Sequence, residues 1–147
     1  MMKNNKGITL IALVVTIIVL LILAAVSIAM LTGNNGILTR ASESSYTNTL
    51  GAAKDEVALK ATELVTEYYK QVYVNANNQV SGANATTALD TFVKNGLADT
   101  AFDLPDNKKE VTYSCTGGAI TLTYKAEPTH KVTGQCTNGK ITWDPIQ

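Results

Sequence analysis

Few side chains in this sequence combine the types and spacing that chemistry requires. His130 is the lone histidine and sits in a loop after Pro128. With no nucleophile beside it there is nothing for an imidazole to activate, so it reads as a solvated loop residue rather than a base or ligand. Asp99, Asp103 and Asp106 gather around Pro105. Three carboxylates offer the oxygen ligands calcium prefers, but their spacing is not that of an EF-hand loop. They are a weak calcium candidate beside the plainer reading of an acidic loop with helix caps. The sequence contains no nucleophile motif, phosphate-cradling glycine loop or metal-ligand pair. The expectation is a protein that is not an enzyme and uses no cofactor. Of Tyr46, Tyr68, Tyr69, Tyr73, Tyr113 and Tyr124, most read as packing residues with a wet hydroxyl end rather than as a stacking surface for sugars or bases.

The elements that must position these residues begin with an apolar run. Residues 8–31 carry no charge, and only Thr9, Thr16 and Ser27 interrupt them with polarity. A helix of that length spans about 36 Å, enough to cross a bilayer. Hydroxyl side chains bond back to the preceding turn and cost little in lipid. Lys3 and Lys6 precede the run with no acidic residue among them, which keeps the short leader cytoplasmic and sends the rest outward. Three readings fit: a cleaved secretory signal cut near Ser27-Ile28-Ala29, a plain signal anchor, and a third that rests on Gly7, placed between the basic leader and the first apolar residue.

Lys6-Gly7 followed by Ile8-Thr9-Leu10-Ile11-Ala12-Leu13-Val14-Val15-Thr16-Ile17 resembles the class III leader of type IV pilins and type II secretion pseudopilins. The match covers the leader and the apolar run. It implies cleavage between Gly7 and Ile8 by a prepilin peptidase, with Lys3 and Lys6 lost in the leader and Ile8 N-methylated as the new first residue. It also implies a filament-core helix opening with Ile8, Thr9, Leu10, Ile11, Ala12 and Leu13, held in the bilayer before assembly and extracted by a membrane assembly platform. Phe or Met is more usual than Ile at the first mature position. The family usually carries glutamate where Ala12 stands, to meet the N-terminal ammonium of a neighbouring subunit. An ammonium buried without a counter-charge costs several kcal/mol, so Thr9 or Thr16 hydroxyls, backbone carbonyls or a glutamate of a different subunit would have to serve. Pseudopilins of this family also carry a C-terminal calcium loop, which is what the resemblance adds to Asp99, Asp103 and Asp106.

Length and charge bound the remainder. The 147 residues suit one exported domain behind an anchor. Twelve basic and twelve acidic side chains cancel, and loss of Lys3 and Lys6 leaves ten against twelve. That balance has no electrostatic footprint for nucleic acid. Cys115 and Cys136 both lie in the exported part, where a pair reads as a disulfide worth about 3 kcal/mol by loop closure.

The chain is expected to be α+β, a long N-terminal helix packed on a small antiparallel sheet. Its segments are a leader (1–7), a membrane or filament-core helix (8–31), an amphipathic continuation (32–74), a linker with a short helix and loop (75–109), and a sheet (110–147). Turn formers at Thr32-Gly33-Asn34-Asn35-Gly36 should stop or bend the helix. Beyond them Leu50, Ala53, Val57, Ala61, Leu64, Tyr68 and Val72 form one apolar stripe. Glu56 precedes Lys60 at pairing distance on the helix surface, and Gly51 is a weak spot. Residues 75–87 read as a polar linker, Thr86 or Thr87 as the cap of a helix over 88–95, and Gly96 as its C-terminal stop. Two hairpins follow, turning at Gly117-Gly118 and Asn138-Gly139. Cys-Thr-Gly-Gly-Ala-Ile-Thr echoes Cys-Thr-Asn-Gly-Lys-Ile-Thr, so each cysteine ends a strand before its turn. In a simple meander those two strands are not neighbours, and a direct disulfide then needs another strand order.

Function follows from the anchor and the resemblance. The expectation is a structural subunit of a type IV pilus or pseudopilus, assembled with copies of itself or with other pilins. The alternative is a minor pilin or anchored binding module recognising a surface, DNA or a secreted substrate.

Overall fold

The computed structural model describes residues 6–74 and 83–147. Lys3 and the linker 75–82 lie outside the described residues, as do the side chains of Lys6, Ile8 and Tyr73. The described elements are α1 (Lys6–Thr32), α2 (Ile37–Val74), α3 (Ala83–Leu97), a 3-10 turn (Asp106–Lys108), β1 (Val111–Thr116), β2 (Ala119–Tyr124), β3 (Lys131–Thr137) and β4 (Lys140–Trp143). The chain divides into two compact units, residues 1–44 and 45–147, with the division inside α2.

In the first unit the expected break is present. Helix α1 ends at Thr32 and α2 starts at Ile37. The Gly33 N–H still bonds the Ala29 carbonyl at 2.9 Å, whereas the Gly36 N–H turns back to the Gly33 carbonyl at 2.6 Å. A Cβ on Gly36 would sit 2.6 Å from the Leu31 carbonyl oxygen, so this corner admits only glycine. From Gly36 the ladder resumes, its carbonyl accepting from the Arg40 N–H.

The second unit buries the stripe the sequence drew. Leu50, Ala53, Val57, Ala61 and Tyr68 of α2 form one apolar core with Leu89, Val93 and Leu97 of α3 and the inner face of the sheet. That inner face is Val111, Tyr113 and Cys115 of β1, Ile120 and Leu122 of β2, and Val132 and Cys136 of β3. The strands run in the order β1-β2-β3-β4, antiparallel throughout. Inward residues alternate with an outer face rich in threonine, as one covered and one wet face require. Both hairpins close with two-residue loops: Thr116 pairs with Ala119 and Thr137 with Lys140. Gly117, Gly118, Asn138 and Gly139 all have positive φ, the mirror-image turn that matches strand twist.

Three local expectations change. Helix α3 begins at Ala83, ahead of Thr86 and Thr87, so neither is its cap. Gly96 lies inside α3 rather than after it, and a Cβ there would meet the Leu64 methyls at 2.5 and 2.7 Å. Its small size lets α3 approach α2. Lys60 reaches Glu63 at 3.2 Å rather than Glu56; at this exposed site the exchange carries little energy.

Two glycines of unit 45–147 should respond oppositely to a methyl group. Nothing lies within 4 Å of a Cβ built on Gly51. Gly51→Ala should therefore raise unfolding stability by about 0.5–1 kcal/mol. Gly139 has φ +77, and a Cβ would fall 2.4 Å from the Val65 Cγ2. Gly139→Ala should lower stability by more than Gly51→Ala gains. Urea unfolding of the detergent-solubilised chain, followed by far-UV dichroism, measures both.

Candidate functional site

The largest unpartnered feature is the surface of α1. Leu10, Ile11, Leu13, Leu20, Leu21, Ile28 and Met30 are all more than half exposed, Met30 at 68%. This helix is long and apolar enough to cross a membrane, and none of its apolar window is buried. Exposure of that surface to water costs about 25 cal/mol for each Å², so it suits an apolar surrounding. The polar atoms on this surface are already met. Thr16 donates to the Leu13 carbonyl at 2.8 Å, Ser27 to the Leu23 carbonyl at 2.8 Å, and Thr32 to the Ile28 carbonyl at 2.9 Å. Gly7 and Ile8 fall in the first turn of α1, so the peptide between them is helical. At the far end, Val26, Met30 and Ile37 wall an open notch beside Asn34 and Asn35.

The candidates in the second unit are dispersed. Asp99 turns its carboxylate to β1, where Oδ1 accepts the Cys115 N–H and Oδ2 lies 3.4 Å from the Ser114 hydroxyl. Asp103 accepts its neighbour's N–H at Leu104, and Asp106 pairs with Lys109 at 3.1 Å. The weak calcium candidate finds no support in this arrangement: among the described residues no cluster of three metal-binding side chains forms. Each carboxylate has a nearer local donor. His130 is also more embedded than a solvated loop residue. Its ring stacks on Tyr46 at 3.8 Å between centroids, and Nε2 lies 2.9 Å from Glu127.

The expected disulfide is corrected as well. Cys115 and Cys136 are free thiols, both buried. They stand on β1 and β3 with β2 between them. Two strand spacings come to about 9–10 Å, beyond the span of about 4.4–6.8 Å between Cα atoms that a disulfide bridges. Burial pushes the Cys136 thiol up, opposed in part by the Gly139 N–H. Burial likewise raises the Tyr113 phenol, whose hydroxyl donates to the Leu97 carbonyl.

The polar centre that sequence reasoning missed is on α3. Asp90 and Lys94 pair at 2.7 Å, one helical turn apart. Asp90 Oδ1 also accepts the Asn138 N–H at 2.8 Å, and the Lys94 stem covers Gly118. One ion pair therefore touches both hairpin turns. The signal was available as an Asp-x-x-x-Lys spacing, but nothing local says that it reaches residues so distant in sequence. The Lys94 hydrogen bond, then the Asn138 N–H, hold Asp90 below the usual carboxylate range, while the same bond raises Lys94. No family model, curated protein or solved structure matches the chain.

Two measurements follow. A depressed carboxyl stabilises fully above its unfolded value of about 3.9 and loses that contribution as pH falls through the folded value. The raised Lys94 contributes below about 10.4 and loses its share as pH rises through its folded value. Asp90→Asn should lower the urea midpoint at neutral pH and flatten its acid fall; an unchanged acid limb would place the dependence elsewhere. In thiol alkylation without reductant, Cys115 and Cys136 should resist reagent in the folded chain and both react in denaturant. A chain that stays refractory in denaturant would carry a disulfide and a different strand order.

Proposed function

We propose that this chain is a prepilin-like structural subunit, held in the cytoplasmic membrane by α1 and assembled into an extracytoplasmic type IV pilus or pseudopilus filament. The observation that carries it is the uncharged, exposed surface of α1 from residue 9 to residue 31, behind a Lys-Gly-Ile-Thr-Leu-Ile opening. Lipid can cover that surface first and other apolar helices later, because the exchange replaces one apolar contact by another. Among known families, the one resembled makes this exchange its means of assembly. The basic leader stays inside and the head of residues 45–147 outside. Its role is structural rather than catalytic.

Prepilin peptidase is the processing partner, cutting between Gly7 and Ile8. Where the family has glutamate this chain has Ala12, so the Ile8 ammonium needs another acceptor. Thr16 spends its proton on the Leu13 carbonyl, which leaves its oxygen lone pairs to accept. The filament partners are copies of this chain or other pilins.

The N-terminal residue of the protein from native membranes, read by intact mass and peptide sequencing, tests this directly. The expected start is Ile8, with or without a methyl group. A start at Met1 or Met2 leaves a plain anchor, and a start near Met30 leaves a secreted domain. Either of these would overturn the filament reading.

A further inference from the structure

Asparagine followed by glycine occurs three times, at Asn35-Gly36, Asn95-Gly96 and Asn138-Gly139. Glycine leaves the backbone nitrogen after the asparagine unhindered. Once that nitrogen loses its proton it attacks the side-chain amide carbon. A nitrogen–carbon bond closes a succinimide ring, the bond to the amide nitrogen breaks, and ammonia departs with its proton drawn from solvent. Water then opens the ring at either carbonyl, leaving aspartate or isoaspartate. Water and base are the sole co-reactants, so accessibility of the glycine N–H and freedom of the asparagine decide which pair reacts.

The fold treats the three pairs differently. The Gly36 N–H is held at 2.6 Å by the Gly33 carbonyl, and Gly36 is buried. Gly96 lies within α3, where its N–H belongs to the helical ladder. The Gly139 N–H lies against the Cys136 thiol, a weak acceptor, at a glycine that is half-buried beside Val65. Asn138 is exposed, at a hairpin tip, with φ 53. We propose that Asn138 is a site of spontaneous deamidation in the folded protein, reacting ahead of Asn35 and Asn95.

The product acts on the polar centre of the head. The Asn138 N–H is bonded to Asp90, so a carboxylate formed at 138 places like charge beside that acceptor. Isoaspartate in addition routes the main chain through an extra methylene. A loop of two residues between the paired Thr137 and Lys140 has no slack to absorb it. Both products loosen the β3–β4 turn from α3, and the modification accumulates with time spent folded in water.

The test incubates the full chain in detergent micelles at mildly alkaline pH beside an identical sample in denaturant. Peptides covering the three asparagines are followed by mass, and isoaspartate is identified by enzymatic methylation. Conversion at 138 should exceed that at 35 and 95 by about tenfold in the folded chain, the scale of one backbone hydrogen bond. In denaturant the three rates should converge. Equal conversion at either other site in the folded chain would overturn the proposal. So would an unchanged Asn138 after all three sites have converted in denaturant. Asn138→Asp should also lower the urea midpoint, by less when Asp90→Asn is present.

Discussion

The head depends on one constraint: the apolar stripe of α2 must be covered along its length. Leu50, Ala53 and Val57 have no exposed surface, and Ala61 has 2%. A lone helix of such mixed composition has little reason to hold in water, because most helical stability in proteins comes from packing. The sheet and α3 supply that cover. The two alanines keep the stripe low where α2 joins the common core. Gly96 serves the same end from α3, since its missing Cβ makes room for Leu64.

The turns show how the covering layer is held. Gly139 sits against Val65 and Val93, and Gly118 against the Lys94 stem. Asp90 and Lys94 add the directional part, a charge-assisted bond to a turn amide and an ion pair one helical turn along. The sister hairpins, which share a short repeat, thus each press a turn glycine on a helical side chain, Gly118 on α3 and Gly139 on α2 and α3. At the open edge the chain pairs past β4. Asp144 bonds Thr133, and Gln147 bonds Lys131 in both directions. Four residues, 144 to 147, thus run opposite three, 133 to 131, an uneven edge that discourages pairing with another strand.

Much of this was legible, for reasons that differ by element. The stripe, the break at Gly33-Asn34-Asn35-Gly36 and both mirror-image turns are local codes, written in periodicity and in residues that tolerate positive φ. The strand order was the simplest meander, and it removed the disulfide: Cys115 and Cys136 looked paired by compartment, yet pairing is a matter of distance across β2. Gly96 misled because a glycine after an apolar stretch carries the same letters whether it ends a helix or lets another one in. Asp99, read as part of an acidic loop, has a partner its neighbours do not announce: it accepts the N–H of Cys115 on an edge strand. These misreadings share a cause, since each residue's partner lies far along the chain.

The same distinction explains why the candidate site was easier to read than the head's polar centre. A helix long and apolar enough to cross a bilayer does best to satisfy its polar atoms within itself, and α1 does so locally, down to the hydroxyls of Thr16 and Ser27 bonded to the turn below. No partner is needed to see it. In unit 45–147 local solutions compete with solvent, and specificity comes from contacts such as Asp90 with the Asn138 N–H. Those contacts are strong enough to orient a turn but leave its tip in solvent. An exposed asparagine at positive φ, followed by a glycine held against a thiol, is the consequence of asking a two-residue turn both to reverse a strand and to dock on a helix.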